Sequence, residues 1–327
     1  MFKEENRMMF DAALKKSSAL LAAMLTMGAA WCVMHLPGSD LLMVTFAFLA
    51  SADLCDVSDF NLKLQRCFRM VCYAAAAQFM IGITADYPIA RSLLALPFSF
   101  FILATMQEKQ DALIALLIAG LSLSSSSGFT AAVDRCINIA SGGAVAVAVT
   151  TVSNLFIHGN FKKTSPEQPY SFRQAAIISA EITTAFIIAQ LFKHEQFYWA
   201  IPTIIFVHMA ESQSNPLPAL VKERIIATPA GILSGGLALG CFNDTSIDMI
   251  YIVPVTGTLS FFMLYLKNDY FIFTFLFMLT LTVFTDWMLG TGSRFHFAEI
   301  TFVRTLATVI GGILVLCGKN FMQEDTP

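Results

Sequence analysis

Charge is what this sequence has least of. Only 13% of its 327 residues are Asp, Glu, Lys or Arg, against about 25% in a soluble globular protein. With 56% hydrophobic residues and a mean hydropathy of +0.67, a water-solvated fold lacks the polar surface to cover itself, whereas a bilayer solvates apolar surface directly. A net charge of −3, with no basic tract and no aromatic–basic interleaving, gives nucleic acid no footing. The seven cysteines contain no CxxC pair. Cys67 and Cys72 are the nearest two, at a spacing that suits no zinc site, so no metal is expected and the cysteines read as small core residues. Nucleophile elbow, phosphate loop and HExxH motif are all missing. The glycines of GGLALG at 235–240 follow no strand. Neither an enzyme, an ATP-driven pump nor a cofactor is expected.

Long apolar runs take the place of these motifs. A helix needs about 20 apolar residues to cross a bilayer. Twelve candidates stand at 18–36, 40–52, 67–85, 88–106, 111–126, 134–157, 173–191, 197–210, 224–242, 247–266, 270–289 and 301–318. The second and eighth are short enough to be half-spanning, which leaves ten full crossings as an alternative. The runs are continuously apolar, unlike the alternating strands of a membrane barrel, so an all-α polytopic bundle is expected. The run at 18–36 lacks a small-residue cleavage site followed by a polar mature domain and is taken as a retained first span.

The charges orient this bundle. With twelve spans and the N-terminus inside, Lys3, Arg7, Lys15, Lys16, Lys63, Arg66, Arg69, Lys109, Lys162, Lys163, Arg173, Lys222, Arg224, Lys267 and Lys319 fall inside. Arg91, Arg135, Lys193, Arg294 and Arg304 fall outside. Cytoplasmic loops are rich in Lys and Arg, so both termini are expected in the cytoplasm.

The second half echoes the first. TFAFLASAD at 45–53 matches TIIFVHMAE at 203–211, with Asp53 answering Glu211, and Arg66 answers Arg224 at the same offset of 158. Arg135 and Arg304 stand 169 apart. Each is followed by a glycine pair, Gly142 and Gly143 or Gly311 and Gly312. An insertion of 11 residues in the second half accounts for the change of offset. The expected organisation is two tandem parallel repeats of five to six helices, 1–157 and 173–327, joined by a cytoplasmic linker at 158–172. An even number of spans gives both halves one orientation, and such transporters carry substrate between the halves. A plainer reading makes the duplication a device for a stable bundle, with the small residues as helix contacts.

FYWAIPTIIFV at 197–207, ERIIATPAGILSGGLALG at 223–240 and FVRTLATVIGGILVL at 302–316 resemble the fusaric acid resistance and aromatic acid exporter superfamily. The sequence departs from the longer members in having no large cytoplasmic domain between the halves. The resemblance implies export of small, often aromatic, carboxylates across a bacterial inner membrane. It also implies a periplasmic adaptor (membrane fusion) protein that passes substrate onward. Plant relatives conduct organic anions passively, so the alternatives to a proton-coupled exporter are a passive anion channel and a non-transporting scaffold subunit. Homo-oligomers are compatible with each.

Ionisable residues at membrane depth need a reason. Glu181, in the seventh run, is a candidate proton-coupling site, and its repeat mate is Ala23. His208 and Glu211, one turn apart, can share a proton, and Asp53 is the mate of Glu211. Ion pairs Asp53–Arg66 and Glu211–Arg224 across each loop are the structural alternative. Asp286 either faces a water-filled cavity or ends a helix. Arg66 and Arg224 at the cytoplasmic ends, and Arg135 and Arg304 at the opposite ends, are candidates for an anion pathway, since a guanidinium grips a carboxylate with two hydrogen bonds. Snorkelling at helix ends is the bland reading for any one of them. Tyr198 and Trp199 either stack on an aromatic substrate or form an interfacial belt. The serine run at 124–127 reads as an outer loop or a packing face.

Overall fold

The computed structural model describes residues 41–122, 128–156, 169–192, 195–211, 216–241, 255–263, 269–289 and 294–322, apart from 56, 58 and 261, together with 20, 21, 24, 25 and 28. The span expected at 18–36, most of the linker, the serine run and most of the span at 247–266 lie outside these residues. Among the described residues the regular structure is all helical. The helices are α1 (Leu41–Leu54), α2 (Phe60–Ile83), α3 (Pro88–Thr105), α4 (Lys109–Ser122), α5 (Phe129–Phe156), α6 (Phe172–Phe192), α7 (Ala200–Ala210), α8 (Leu217–Cys241), α9 (Tyr270–Leu289) and α10 (Arg294–Met322). A 3₁₀ turn, Glu195–Trp199, leads into α7.

Local chemistry fixes several ends. The Asp59 carboxylate accepts from the Asn61 N–H at 2.8 Å and so caps α2. Asp269 does the same for α9, accepting from the Ile272 N–H at 3.0 Å. Proline stands first in α3, where its missing N–H costs nothing.

Three helices among the described residues are long and apolar enough to cross a membrane, over Phe129–Leu155, Phe172–Phe192 and Glu299–Phe321. Shorter apolar helices cover Met43–Leu54, Ile89–Thr105 and Tyr270–Val283. The eleven residues of α7 rise only about 17 Å, against a hydrocarbon core of about 30 Å. This is the run that looked half-spanning by length.

The burial pattern is inverted relative to a soluble protein. Phe68, Leu93, Leu155, Leu191, Leu237 and Phe302, on six different helices, face outward. Lys63, Asp111, Arg135, Glu181, His208, Arg224 and Arg304 are buried. Large apolar side chains outside and charges within suit a lipid solvent. The core is built from the short helices. Every residue from Ala200 to His208 in α7, and from Asp111 to Ile118 in α4, is buried. A helix apolar on all sides has no solvent face to present and sits at the centre.

Longer helices wrap these central ones. In the first half α5 packs on α1 and α2, and α2 on α4. In the second, α10 packs on α7 and α8, and α8 on α9. The halves meet where α3 lies on α6 and α4 on α7. Two glycines set the closest approaches. A methyl added at Gly142 would stand 2.6 Å from the Met43 carbonyl oxygen, and one at Gly311 would stand 2.7 Å from that of Ala200. Both long helices therefore touch the backbone of a short one.

Candidate functional site

The first cluster forms where α1 ends and α2 and α4 begin. Arg66 donates from Nε to Asp111 Oδ2 at 3.1 Å and from Nη2 to Asp111 Oδ1 at 2.6 Å, a two-pronged fork. The same Nη2 pairs with Asp53. The Asp53–Arg66 pair is the one the loop spacing suggests; Asp111 is the partner that spacing missed. One turn earlier on α2, the buried Lys63 donates to the Thr150 carbonyl on α5 at 2.9 Å.

The second cluster lies in the other half. His208 Nε2, on α7, is 2.8 Å from Glu181 Oε2 on α6. Its Nδ1 is 3.7 Å from Glu211 Oε2, just past the end of α7. Glu181 is buried, whereas the Glu211 side chain is 45% exposed. The three make a carboxylate–imidazole–carboxylate chain from the surface into the core. Space for Glu181 comes from α10. A methyl at Gly318 would collide with its carboxylate, and Oε1 makes no hydrogen bond within the protein. Because Glu211 turns to His208, the expected Glu211–Arg224 ion pair does not form. The reason is local: the positions of the first half that answer His208 and Glu181 are Ala50 and Ala23, so Asp53 has no imidazole to draw it away from Arg66.

Arg224 lies inside the protein, 0% exposed. Its guanidinium carbon stands 4.8 Å from the centre of the Phe206 ring. Nη1 donates to Thr274 Oγ1 at 3.3 Å. Nε and Nη2 are buried with no hydrogen-bond partner. Asp269, at the offset of 158 from Asp111, caps α9 instead.

On α10 the picture is different again. Arg304 stacks on Trp199, its guanidinium carbon 4.8 Å from the ring centre, and donates from Nε to Gln196 Oε1 at 2.6 Å. Trp199 thus packs on a cation inside the protein. Tyr198 packs on Phe186, ring centres 5.8 Å apart. Arg135 is buried on α5. Asp286 is on α9, with its side chain outside the described residues. The structure thus joins Asp53 with Arg66, Glu181 with His208 and Glu211, and Arg304 with Trp199, while Arg224 joins none of these groups. No cluster of three or more metal-ligating side chains occurs among the described residues. A cavity of about 50 Å³ between the halves is lined mainly by apolar residues, Ala77, Leu116, Gly120 and Ile201 among them, together with Arg91 and Ser99.

Among the described residues, apolar side chains face outward and ionisable groups pair inside, the pattern of a helical membrane protein. Residues 184–318 match the family model described as fusaric acid resistance protein-like, and that match supports membership of the chain in this family. Comparison with curated proteins and with solved structures finds no match.

Proposed function

We propose that the chain is a secondary transporter that moves small organic acids, aromatic carboxylic acids among them, outward across a bacterial inner membrane and couples this to proton movement. The observation that carries the reading is the 2.8 Å contact between Glu181 and His208, linked through His208 to the exposed Glu211. An imidazole between two carboxylates takes a proton from one and passes it to the other by changing tautomer. At membrane depth such a chain has a cost that function has to justify. The family match over 184–318 supports transport of organic acids as the class of activity.

The two halves act as tandem parallel repeats of five to six helices, an organisation supported by the matched packing of α5 and α10 on α1 and α7. Both termini lie in the cytoplasm. A periplasmic adaptor protein passes substrate onward, and copies of the chain associate in the membrane.

The test is reconstitution into vesicles with an imposed proton gradient and a radiolabelled aromatic acid. Efflux should follow the gradient and stop with a protonophore. Glu181→Gln should abolish the coupled flux while leaving the protein folded and inserted. Flux that ignores the proton gradient and follows membrane potential alone would convert the reading to a passive channel. No flux at all would leave a scaffold.

A further inference from the structure

We infer that Arg224 anchors an occluded binding site for a small monocarboxylate with an apolar body. This deepens the transport reading above and rests on it only in calling that ligand a substrate. The argument starts from the geometry of one guanidinium edge. In Arg66, Nε and Nη2 form the side-on fork, and both donate to the two oxygens of Asp111. In Arg224 the same two nitrogens are buried and make no hydrogen bond within the protein. The chain itself thus displays the group that fits this edge, a carboxylate held by two parallel N–H···O bonds.

The surroundings of Arg224 agree with a ligand rather than a structural partner. The remaining nitrogen, Nη1, is held by Thr274, and one face of the guanidinium lies on Phe206, so the side chain is oriented before any ligand arrives. Among the described residues no carboxylate comes within ion-pair distance of Arg224; Asp269 is committed to the end of α9 and Glu211 to His208. The Tyr270 hydroxyl on α9 lies beside the guanidinium and beside Thr274, and the Thr228 hydroxyl one turn along α8 is buried without a hydrogen bond. A protein does not ordinarily leave the side-on edge of a buried guanidinium and a neighbouring hydroxyl so poorly served.

The charge and the walls define the ligand. One buried positive charge is neutralised by one negative charge, so a dianion would leave an excess in a medium that solvates it badly. Phe206 is packed against Phe273 and Phe277, with ring centres 5.6 and 5.3 Å away. This aromatic wall suits an apolar body on the carboxylate. With Arg224 fully covered, the ligand enters by movement of α8 against α9. Pro229 gives α8 a place to bend, because it cannot donate the hydrogen bond that would tie it to the turn containing Arg224.

The experiment is isothermal titration of the detergent-purified full chain with sodium benzoate, its neutral isostere benzamide, and sodium nitrate. Benzoate should bind saturably, benzamide not at all at the same concentrations, and nitrate at least about tenfold more weakly. Arg224→Lys keeps the charge but loses the fork, and should weaken benzoate binding about ten- to a hundredfold. Should that variant fail to fold, melting of the wild-type protein gives the second readout: benzoate should raise the midpoint and benzamide should not. Benzamide bound as well as benzoate, an Arg224→Lys protein with unchanged affinity, or a wild-type midpoint indifferent to benzoate would each overturn the site. Nitrate bound as tightly as benzoate would overturn the organic ligand and leave an inorganic counter-ion. Because binding is measured without a membrane gradient, benzoate binding in a protein that transports nothing would sink the transport reading and leave this site standing.

Discussion

Arg66 and Arg224 answer each other in the two halves, yet one is saturated with acids and the other has none. Arg66 carries the fork to Asp111 and a pair with Asp53. Arg224 has a threonine hydroxyl, an aromatic face and two nitrogens without partners. The difference is that between a structural and a receptive cation. Once an arginine has two carboxylates it holds helices together and has nothing left to offer a third. An arginine deprived of them keeps its full affinity for an outside anion.

Substituting leucine for each arginine tests this most severely. Arg66→Leu leaves Asp53 and Asp111 without their cation in the interior and should cost about 3–5 kcal/mol. Arg224→Leu removes a buried charge that has no counter-charge, and stability should stay within about 1 kcal/mol of wild type or rise. Chemical unfolding of the two variants in the same detergent checks the pair. Equal losses would erase the distinction.

Next in size is a contrast on which the halves should agree. Gly142→Ala and Gly311→Ala each push a methyl into a backbone carbonyl of the neighbouring short helix, at 2.6 and 2.7 Å. Backbone cannot step aside as a side chain does, so each should cost about 1–3 kcal/mol and by similar amounts. A large effect in one half alone, seen in melting or expression, would show that the halves are not built alike at their centres.

Smaller still is the loss from Asp53→Asn. Arg66 keeps its fork to Asp111, so the change should cost only about 1 kcal/mol. Its counterpart, Glu211→Gln, should leave the melting temperature alone because that carboxylate is half exposed. It should instead change how the transport rate depends on pH. A stability loss from Glu211→Gln with an unaltered pH profile would make Glu211 a structural acid like Asp53.

Much of the helical layout was legible in the sequence. Continuous apolar runs mark the helices, and α9 spans 270–289 as the pattern predicts. The Asp53–Arg66 pair was readable because thirteen residues and one tight loop separate the two. The contacts that decide the candidate site were not readable. Asp111 reaches Arg66 across 45 positions and Glu181 reaches His208 across 27. Such meetings depend on how helices pack, and periodicity within one helix carries no record of its neighbour. Gly318 is silent for the same reason, since its role is the space it leaves for an acid on another helix. The shared offset of 158 misled at Glu211. Equivalent positions make equivalent contacts only while their surroundings match, and His208 and Glu181 have no counterparts in the first half.

The amide of Gln110, at the start of α4, donates to the Met209 carbonyl near the end of α7 at 3.0 Å. A helix that stops inside a bilayer leaves its last carbonyls without donors, and lipid supplies none. One half of the chain therefore completes the backbone bonding of the other. The two halves are not independent modules that merely share a polypeptide: severed and expressed alone, the second would carry an unanswered acceptor where the first now supplies a hand. Gene splitting or exchange of either half between α5 and α6 should therefore fail unless both pieces are present to dock.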